Sequence, residues 1–68
     1  MKLGTLVRPS REWLKSGHFY LYTDRMQTGK FDYSDFGIIV EIVNNYWAKI
    51  VTSNGQIGSI PITNLEEV

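Results

Sequence analysis

The last third of the chain, residues 37–68, alternates short apolar runs with turn-forming residues, and this spacing constrains the fold more than any other feature. Two apolar runs are separated by Asn44-Asn45, and a third follows Asn54-Gly55. Asparagine and glycine tolerate the backbone angles of tight hairpins, so the pattern predicts a meander of short antiparallel strands. The sequence therefore predicts a single small all-β domain over residues 1–68.

The length leaves little room for anything except one compact core. A chain of 68 residues buries only about 60% of its unfolded surface. It has no cysteine and a single histidine, His18, so it can form neither a disulfide nor a thiolate or histidine-rich metal site. Stability must come from apolar packing, since 43% of the residues are hydrophobic and 13% are aromatic. We expect no cofactor and no bound metal.

Nothing in the sequence predicts a membrane protein. No apolar run approaches the roughly 20 residues that span a bilayer, and Met1 is not followed by an apolar signal segment. The absence of cysteine fits a reducing compartment. We expect a soluble, cytoplasmic protein without a membrane partner.

The charges balance overall but are unevenly distributed. Residues 1–30 hold six basic and two acidic side chains, and residues 31–68 hold one basic and five acidic side chains. The two halves can therefore pair with each other across one small surface, or the basic half can face an acidic partner. A net charge of zero disfavours general nucleic-acid binding.

Five strands of a small barrel are predicted, at residues 3–8, 37–43, 46–52, 56–60 and 66–68. Glu41 and Lys49 should face water, and strand alternation then fixes the side of every neighbour. The predicted core is Ile38, Val40, Ile42, Ala48, Ile50 and Ile60. Asn54 and Gly55 should both take positive φ in a two-residue type I′ hairpin. A tight helical turn is expected at residues 61–65.

Residues 9–36 form a long excursion between the first two predicted strands. A single helical turn is predicted at residues 11–14, residues 18–23 form a strand or an extended arm, and residues 23–36 should be a loop. The excursion is rich in aromatic side chains, which can build a second small core over the barrel or form a ligand surface. These aromatic residues are Trp13, Phe19, Tyr20, Tyr22, Phe31, Tyr33 and Phe36.

The C-terminal half resembles a Src-homology-3-type barrel. The resemblance rests on the segment from Gly55 to Pro61, with Gly58 and Ile60 at the matching places, and on the turn 62–65 before the last strand. It implies a five-stranded barrel with an elaborated first loop. By the same resemblance, Pro61 and Trp47 match the proline and tryptophan of the family's ligand shelf. The family's turn tyrosine and ALYDY segment have no counterpart here, which argues against proline-rich peptides as ligands.

The whole chain also resembles short, uncharacterised barrel proteins of tailed phages, including marine ones. The matching segments lie at both ends of the chain: Gly4–Arg8, Gly37–Glu41, Trp47–Val51 and Leu65–Val68. This resemblance implies a phage-encoded protein but carries no known activity.

No residue pattern predicts catalysis. His18 has no orienting partner or nucleophile at a recognisable spacing, and Asp32 and Asp35 lack the denser oxygen ligands of a calcium loop. We therefore predict a non-catalytic protein-interaction or assembly module, and the alternative is a barrel that binds single-stranded nucleic acid. The candidate binding residues are Trp47, Pro61, Tyr20, Tyr22 and Trp13.

A homo-oligomer, most simply a dimer, is also expected, because Ile39 and Val43 should share the outward face of Glu41.

Overall fold

The computed structural model describes all 68 residues, which form seven antiparallel β-strands and one short 3₁₀ turn. The strands are β1 (Leu6–Pro9), β2 (His18–Thr23), β3 (Met26–Asp32), β4 (Gly37–Ile42), β5 (Trp47–Thr52), β6 (Ile57–Pro61) and β7 (Leu65–Glu67). They make one curled sheet in the order β3-β2-β6-β5-β4-β1-β7. The predicted all-β class is confirmed, and the two strands beyond the predicted five are β2 and β3.

The additional strands form a hairpin inside the predicted excursion. Asp24 and Arg25 connect them with φ angles of 49° and 68°, the positive values of a two-residue type I′ turn. The prediction of a loop over residues 23–36 is therefore wrong for Met26–Asp32. Because β3 is an edge strand and all but two of its residues are exposed, its sequence carries little apolar alternation.

One apolar core lies inside the curl of the sheet, and the β2–β3 hairpin contributes to it. Leu21 and Phe31 are fully buried there, with Phe19 packed against them. The excursion therefore adds to the main core and does not build a second one. The predicted core positions Ala48, Ile50 and Ile60 are confirmed. The complete core is Val7, Leu21, Phe31, Ile39, Ala48, Ile50, Ile60 and Leu65.

A β-bulge in β4 turns two residues of the predicted core, Ile38 and Val40, to the outer face. Ile39 pairs with Ile50 and Glu41 pairs with Lys49, so β4 has one more residue than β5 between these pairs. Ile39 is therefore 1% exposed although Glu41, two residues later, faces water. The predicted core residues Ile38 and Val40 are instead 47% and 43% exposed. Ile42 pairs with the buried Ala48 and so keeps the inward side, but it is 40% exposed at the end of β4. The prediction that Ile39 lies on the outward face is wrong, and the dimer argument built on it fails.

The hairpin predicted at Asn54-Gly55 is present, but its turn is of another type. The main-chain N–H of Gly55 donates to the carbonyl of Thr52, and the N–H of Thr52 donates to the carbonyl of Gln56. Gly55 has a φ of 81°, whereas Asn54 does not have a positive φ. The connection is thus a three-residue loop ending in a left-handed glycine, not a type I′ turn.

Of the two other predicted turns, one is present in full and the other is present only as a single hydrogen bond. A 3₁₀ turn at Ile62–Asn64 follows Pro61 and leads into β7, as expected for residues 61–65. The helical turn predicted at residues 11–14 is reduced to one main-chain hydrogen bond, from the N–H of Leu14 to the carbonyl of Ser10.

Close approach of the β2–β3 hairpin to β6 requires glycine at position 58. A β-carbon on Gly58 would lie 2.8 Å from the β-carbon of Leu21 and 2.8 Å from Oγ1 of Thr28. A β-carbon on Gly29 would meet the side chain of Gln56. This contact places β2 beside β6 as its antiparallel neighbour and brings Tyr22 opposite Ser59.

Candidate functional site

An aromatic groove of about 390 Å³ lies on the outer face of the sheet, where β2 meets β6 and β5. Its lining residues come from three strands and one turn. They are Tyr22, Asp24, Arg25, Trp47 and Ser59, and together they are called the aromatic groove below. Two of them, Tyr22 and Trp47, are among the binding residues predicted from the sequence.

The two aromatic rings of the groove contact each other although their strands are not neighbours. The ring centroids of Tyr22 and Trp47 are 6.4 Å apart, with an angle of 84° between the ring planes. This edge-to-face arrangement is the one that ring quadrupoles favour. β6 runs between the two strands, and its Ser59 pairs with Tyr22. A small residue there allows the two rings to meet across β6.

Strand alternation explains why both rings point outward. Leu21 is fully buried, so Tyr22 faces the opposite side of β2. Ala48 is fully buried in the same way, and the preceding Trp47 faces out from β5. The sequence predicted the outward direction of Trp47 correctly from the charge of Lys49. Lys49 is half-buried beside Glu41, with 4.0 Å between Nζ and Oε1.

The remaining predicted binding residues do not line the groove. Pro61 pairs directly with Trp47 across β5 and β6, so it lies next to the groove. Tyr20 shares the outward face of β2 but contacts His18, with ring centroids 4.9 Å apart. Trp13 lies in the β1–β2 connection, is 66% exposed, and is not part of the groove.

The electrostatics of the groove are close to neutral. Asp24 and Arg25 form the tip of the β2–β3 hairpin and are both exposed. One acidic and one basic side chain therefore lie at the same end, next to the two rings. Such a groove offers an aromatic surface with one cation and one anion, and it lacks the row of cations that tracks a phosphate backbone.

Sequence reasoning missed three groove residues, namely Asp24, Arg25 and Ser59. The signal for the first two was present in part. Aspartate tolerates a left-handed conformation, and Asp24-Arg25 separates the alternating run 18–23 from a segment ending in Phe31. Ser59 carries no signal in the sequence, because it becomes part of the groove only through the pairing of β2 with β6.

No group of three or more His, Asp or Glu side chains lies close enough together to hold a metal ion. His18 makes no side-chain hydrogen bond and contacts only the ring of Tyr20 among aromatic side chains. Asp35 is buried, and its carboxylate accepts from the N–H of Asp32 and from Nδ2 of Asn54, both at 3.0 Å. These contacts tie the β3–β4 connection to the β5–β6 turn.

One carboxylate outside the groove has an altered acidity. The main-chain N–H of Arg11 donates to Oε1 of Glu66, and Nη2 of Arg8 donates to Oε2 at 3.2 Å. The hydrogen bond from Arg11 is the largest cause that lowers the pKa of Glu66; partial desolvation opposes it, and the hydrogen bond and charge of Arg8 add to the lowering. This cluster joins the basic first half of the chain to the acidic second half.

Comparison with known proteins gives no relative for this fold or this groove. No family model matches the chain. No curated protein matches it, and no solved structure does so. The resemblances to Src-homology-3-type barrels and to phage proteins therefore gain no support from these comparisons. The structure contains no helix of the length and apolar character needed to cross a membrane.

Proposed function

We propose that this chain is a non-catalytic protein-interaction or assembly module that binds a partner protein through the aromatic groove. The observation that carries the proposal is the meeting of Tyr22 and Trp47 over Ser59 on the outer face of the sheet. Neither ring belongs to the core, which is completed by other residues. Both rings therefore lie at the surface, outside the core, and this favours a role in binding.

The composition of the groove is that of a protein-binding surface. Tryptophan, tyrosine and arginine are the residue types that contribute most to the energy of protein–protein contacts, and the groove has one of each. Its charges, Asp24 and Arg25, can each pair with an opposite charge on a partner. The partner segment that fits is an extended one, with an apolar side chain against the two rings and polar groups beside the hairpin tip.

A displayed peptide library is the direct test, with the wild-type chain as bait. Peptides that bind should lose affinity by about tenfold or more for Trp47→Ala and for Tyr22→Ala, as expected for the removal of a central aromatic contact. Trp13→Ala is the matched control, because it removes an exposed tryptophan outside the groove. Peptides that lose affinity equally for Trp13→Ala and Trp47→Ala would contradict the proposal.

Binding of single-stranded nucleic acid is the second candidate function, and one observation favours it. Base rings stack on exposed aromatic side chains, and the groove offers two of them beside Arg25. The neutral groove and the net charge of zero make this the weaker candidate. The two functions differ in their response to salt, since phosphate contacts weaken steeply as salt is raised.

We also propose that residues 37–68 form a Src-homology-3-type meander. The order of β4, β5, β6, the 3₁₀ turn and β7 supports this proposal, as does β6, which contains Gly58 and ends at Pro61. The β2–β3 hairpin would then be the elaborated first loop. An experimental structure in which β2 and β3 replace one of the barrel's own strands would contradict it.

A further inference from the structure

A second surface, on another part of the outer face, is apolar across four strands. Leu6 of β1 pairs with Ile38 of β4, Ile38 pairs with Val51 of β5, and Val51 pairs with Ile57 of β6. Directly opposed residues share one face of a sheet, so these side chains form one continuous row. Phe36 and Val40 extend the row beside Leu6 and Ile38. We call these six residues the apolar face.

The apolar face is exposed although its members are large and hydrophobic. Five of the six side chains are 43–49% exposed, and Val51 is half-buried. All of them except Ile57 line a shallow groove of about 280 Å³, whose eight lining residues carry no charge. Isolated exposed apolar residues are ordinary on a protein surface, whereas a contiguous apolar patch marks an interaction surface.

A small molecule is a poor occupant for this groove. Its volume lies at the lower limit of the roughly 300–1,000 Å³ of ligand sites. The two polar residues in its wall are already bonded within the chain: Oγ1 of Thr52 accepts from the N–H of Gln56, and Oγ of Ser53 lies 3.3 Å from the N–H of Phe36. Both hydroxyls of the wall are thus engaged in holding neighbouring parts of the chain.

We propose that the apolar face associates with the same face of a second copy of this chain, about a two-fold axis. A two-fold contact places a surface against the same surface of the other copy, so any charge near the axis would lie next to an identical charge and be repelled. The apolar face meets this condition because its groove contains no Lys, Arg, Asp or Glu. The chain as a whole has seven basic and seven acidic residues, so two copies do not repel each other through net charge.

The area of the face fits a weak dimer. With roughly 150–200 Å² for a large side chain, the five exposed members offer on the order of 400 Å². A stable interface takes roughly 800 Å² from each partner, which is under a fifth of the 4526 Å² of this chain. The apolar face thus supplies about half of a standard interface, and the surrounding polar residues supply the rim.

Sedimentation equilibrium from about 5 µM to about 1 mM tests this association. The mass should rise from that of one chain, 7.8 kDa, towards twice that value. Val40→Lys should hold the chain at monomer mass over the whole range. Val43→Lys is the matched control, because Val43 is equally exposed but lies outside the apolar face, and it should dimerise as the wild type does.

A mixing experiment separates self-association from misfolding of a variant. Val40→Lys and Val40→Glu should each be folded by circular dichroism and monomeric, and an equimolar mixture should regain the dimer mass. Trp47→Ala should dimerise like the wild type, because the aromatic groove lies elsewhere on the sheet. A wild-type chain at monomer mass at about 1 mM, or a Val40→Lys chain as dimeric as the wild type, would overturn the proposal.

Discussion

Gly58 of β6 lies against Leu21 of β2 so closely that a β-carbon added to Gly58 would be 2.8 Å from the β-carbon of Leu21. The same β-carbon would lie 3.1 Å from the main-chain nitrogen of Tyr22. The distance between β2 and β6 therefore depends on the missing side chain of Gly58. Since Tyr22 reaches Trp47 only across β6, Gly58 also determines the shape of the aromatic groove.

Gly58→Ala should destabilise the fold by about 1–3 kcal/mol, the usual cost of forcing extra volume into a packed interior. The comparison is Gly37→Ala, whose β-carbon would lie farther from its neighbours, at 3.2 Å from Cδ1 of Ile50 and 3.3 Å from the main-chain oxygen of Val51. Chemical denaturation of both variants provides the measurement. We expect the larger loss of unfolding free energy for Gly58→Ala; equal losses would mean that the hairpin does not press on β6.

The bulge in β4 gives a matched pair of isoleucines that are adjacent in sequence. Ile39→Ala should cost about 2–5 kcal/mol, because it leaves a cavity in the core. Ile38→Ala removes the same atoms from an exposed position and should change the free energy of unfolding by about 0.5 kcal/mol or less. Urea titrations of both variants check the difference, and a larger loss for Ile38→Ala would place the bulge elsewhere.

The sequence could predict the strands around Lys49 but not the side on which β4 buries its residues. Strict alternation from Glu41 assigns Ile38 and Val40 to the core, and the extra residue opposite β5 reverses that assignment. A bulge has no reliable signature in a run of β-branched residues, all of which suit either face. This difference matters for function. Ile39 is buried and Ile38 is exposed, the reverse of the prediction, so the sequence alone does not predict the apolar face.

The aromatic groove was predictable in part for a related reason. Lys49 fixed the outward direction of Trp47, which is a local property of one strand. The contact with Tyr22 depends on the pairing of β2 with β6, a strand that is distant in the sequence, and it requires Gly58 where the two strands meet. Contacts of this kind come from tertiary packing, and no period in the sequence records them.

The left-handed conformation of Gly55 predicts a graded response to substitution. Gly55→Val should destabilise the fold by about 1–2 kcal/mol, since a β-branched residue takes a positive φ only with strain. Gly55→Asn should cost less, because asparagine visits this region more readily. No heavy atom lies within 4 Å of the missing β-carbon, so steric crowding does not contribute. A lower melting temperature for Gly55→Asn than for Gly55→Val would contradict this geometry.

The lowered pKa of Glu66 predicts a loss of stability in acid. A carboxyl group whose folded-state pKa lies below its unfolded value, about 4.3, stabilises the fold above the unfolded value. That contribution is lost as the pH falls through the folded-state pKa. Glu66→Gln should therefore melt at a lower temperature than the wild type near neutral pH, and the difference should shrink on acidification.

Glu67→Gln is the control for the acid experiment, because it removes an equal charge from the next residue. Glu67 is exposed and makes no side-chain hydrogen bond, whereas Glu66 is bonded to Arg8 and Arg11. Melting curves for the three proteins between about pH 3 and 7 separate the local effect from that of net charge. Identical curves for the two variants would remove Glu66 from any role in the pH dependence.

The choice between a protein partner and single-stranded nucleic acid can be made with tryptophan fluorescence. Trp13→Phe leaves Trp47 as the sole tryptophan, so its emission reports on the aromatic groove alone. An oligothymidine should quench the fluorescence of Trp47 weakly at low salt and not measurably at about 0.15 M salt. The reason is that Arg25 lies beside Asp24 in the groove, and one cation cannot neutralise several phosphates. Trp47→Phe, which reports on the exposed Trp13, serves as the control. Strong quenching confined to Trp47, with a binding constant that falls steeply with salt, would favour nucleic acid over a protein partner.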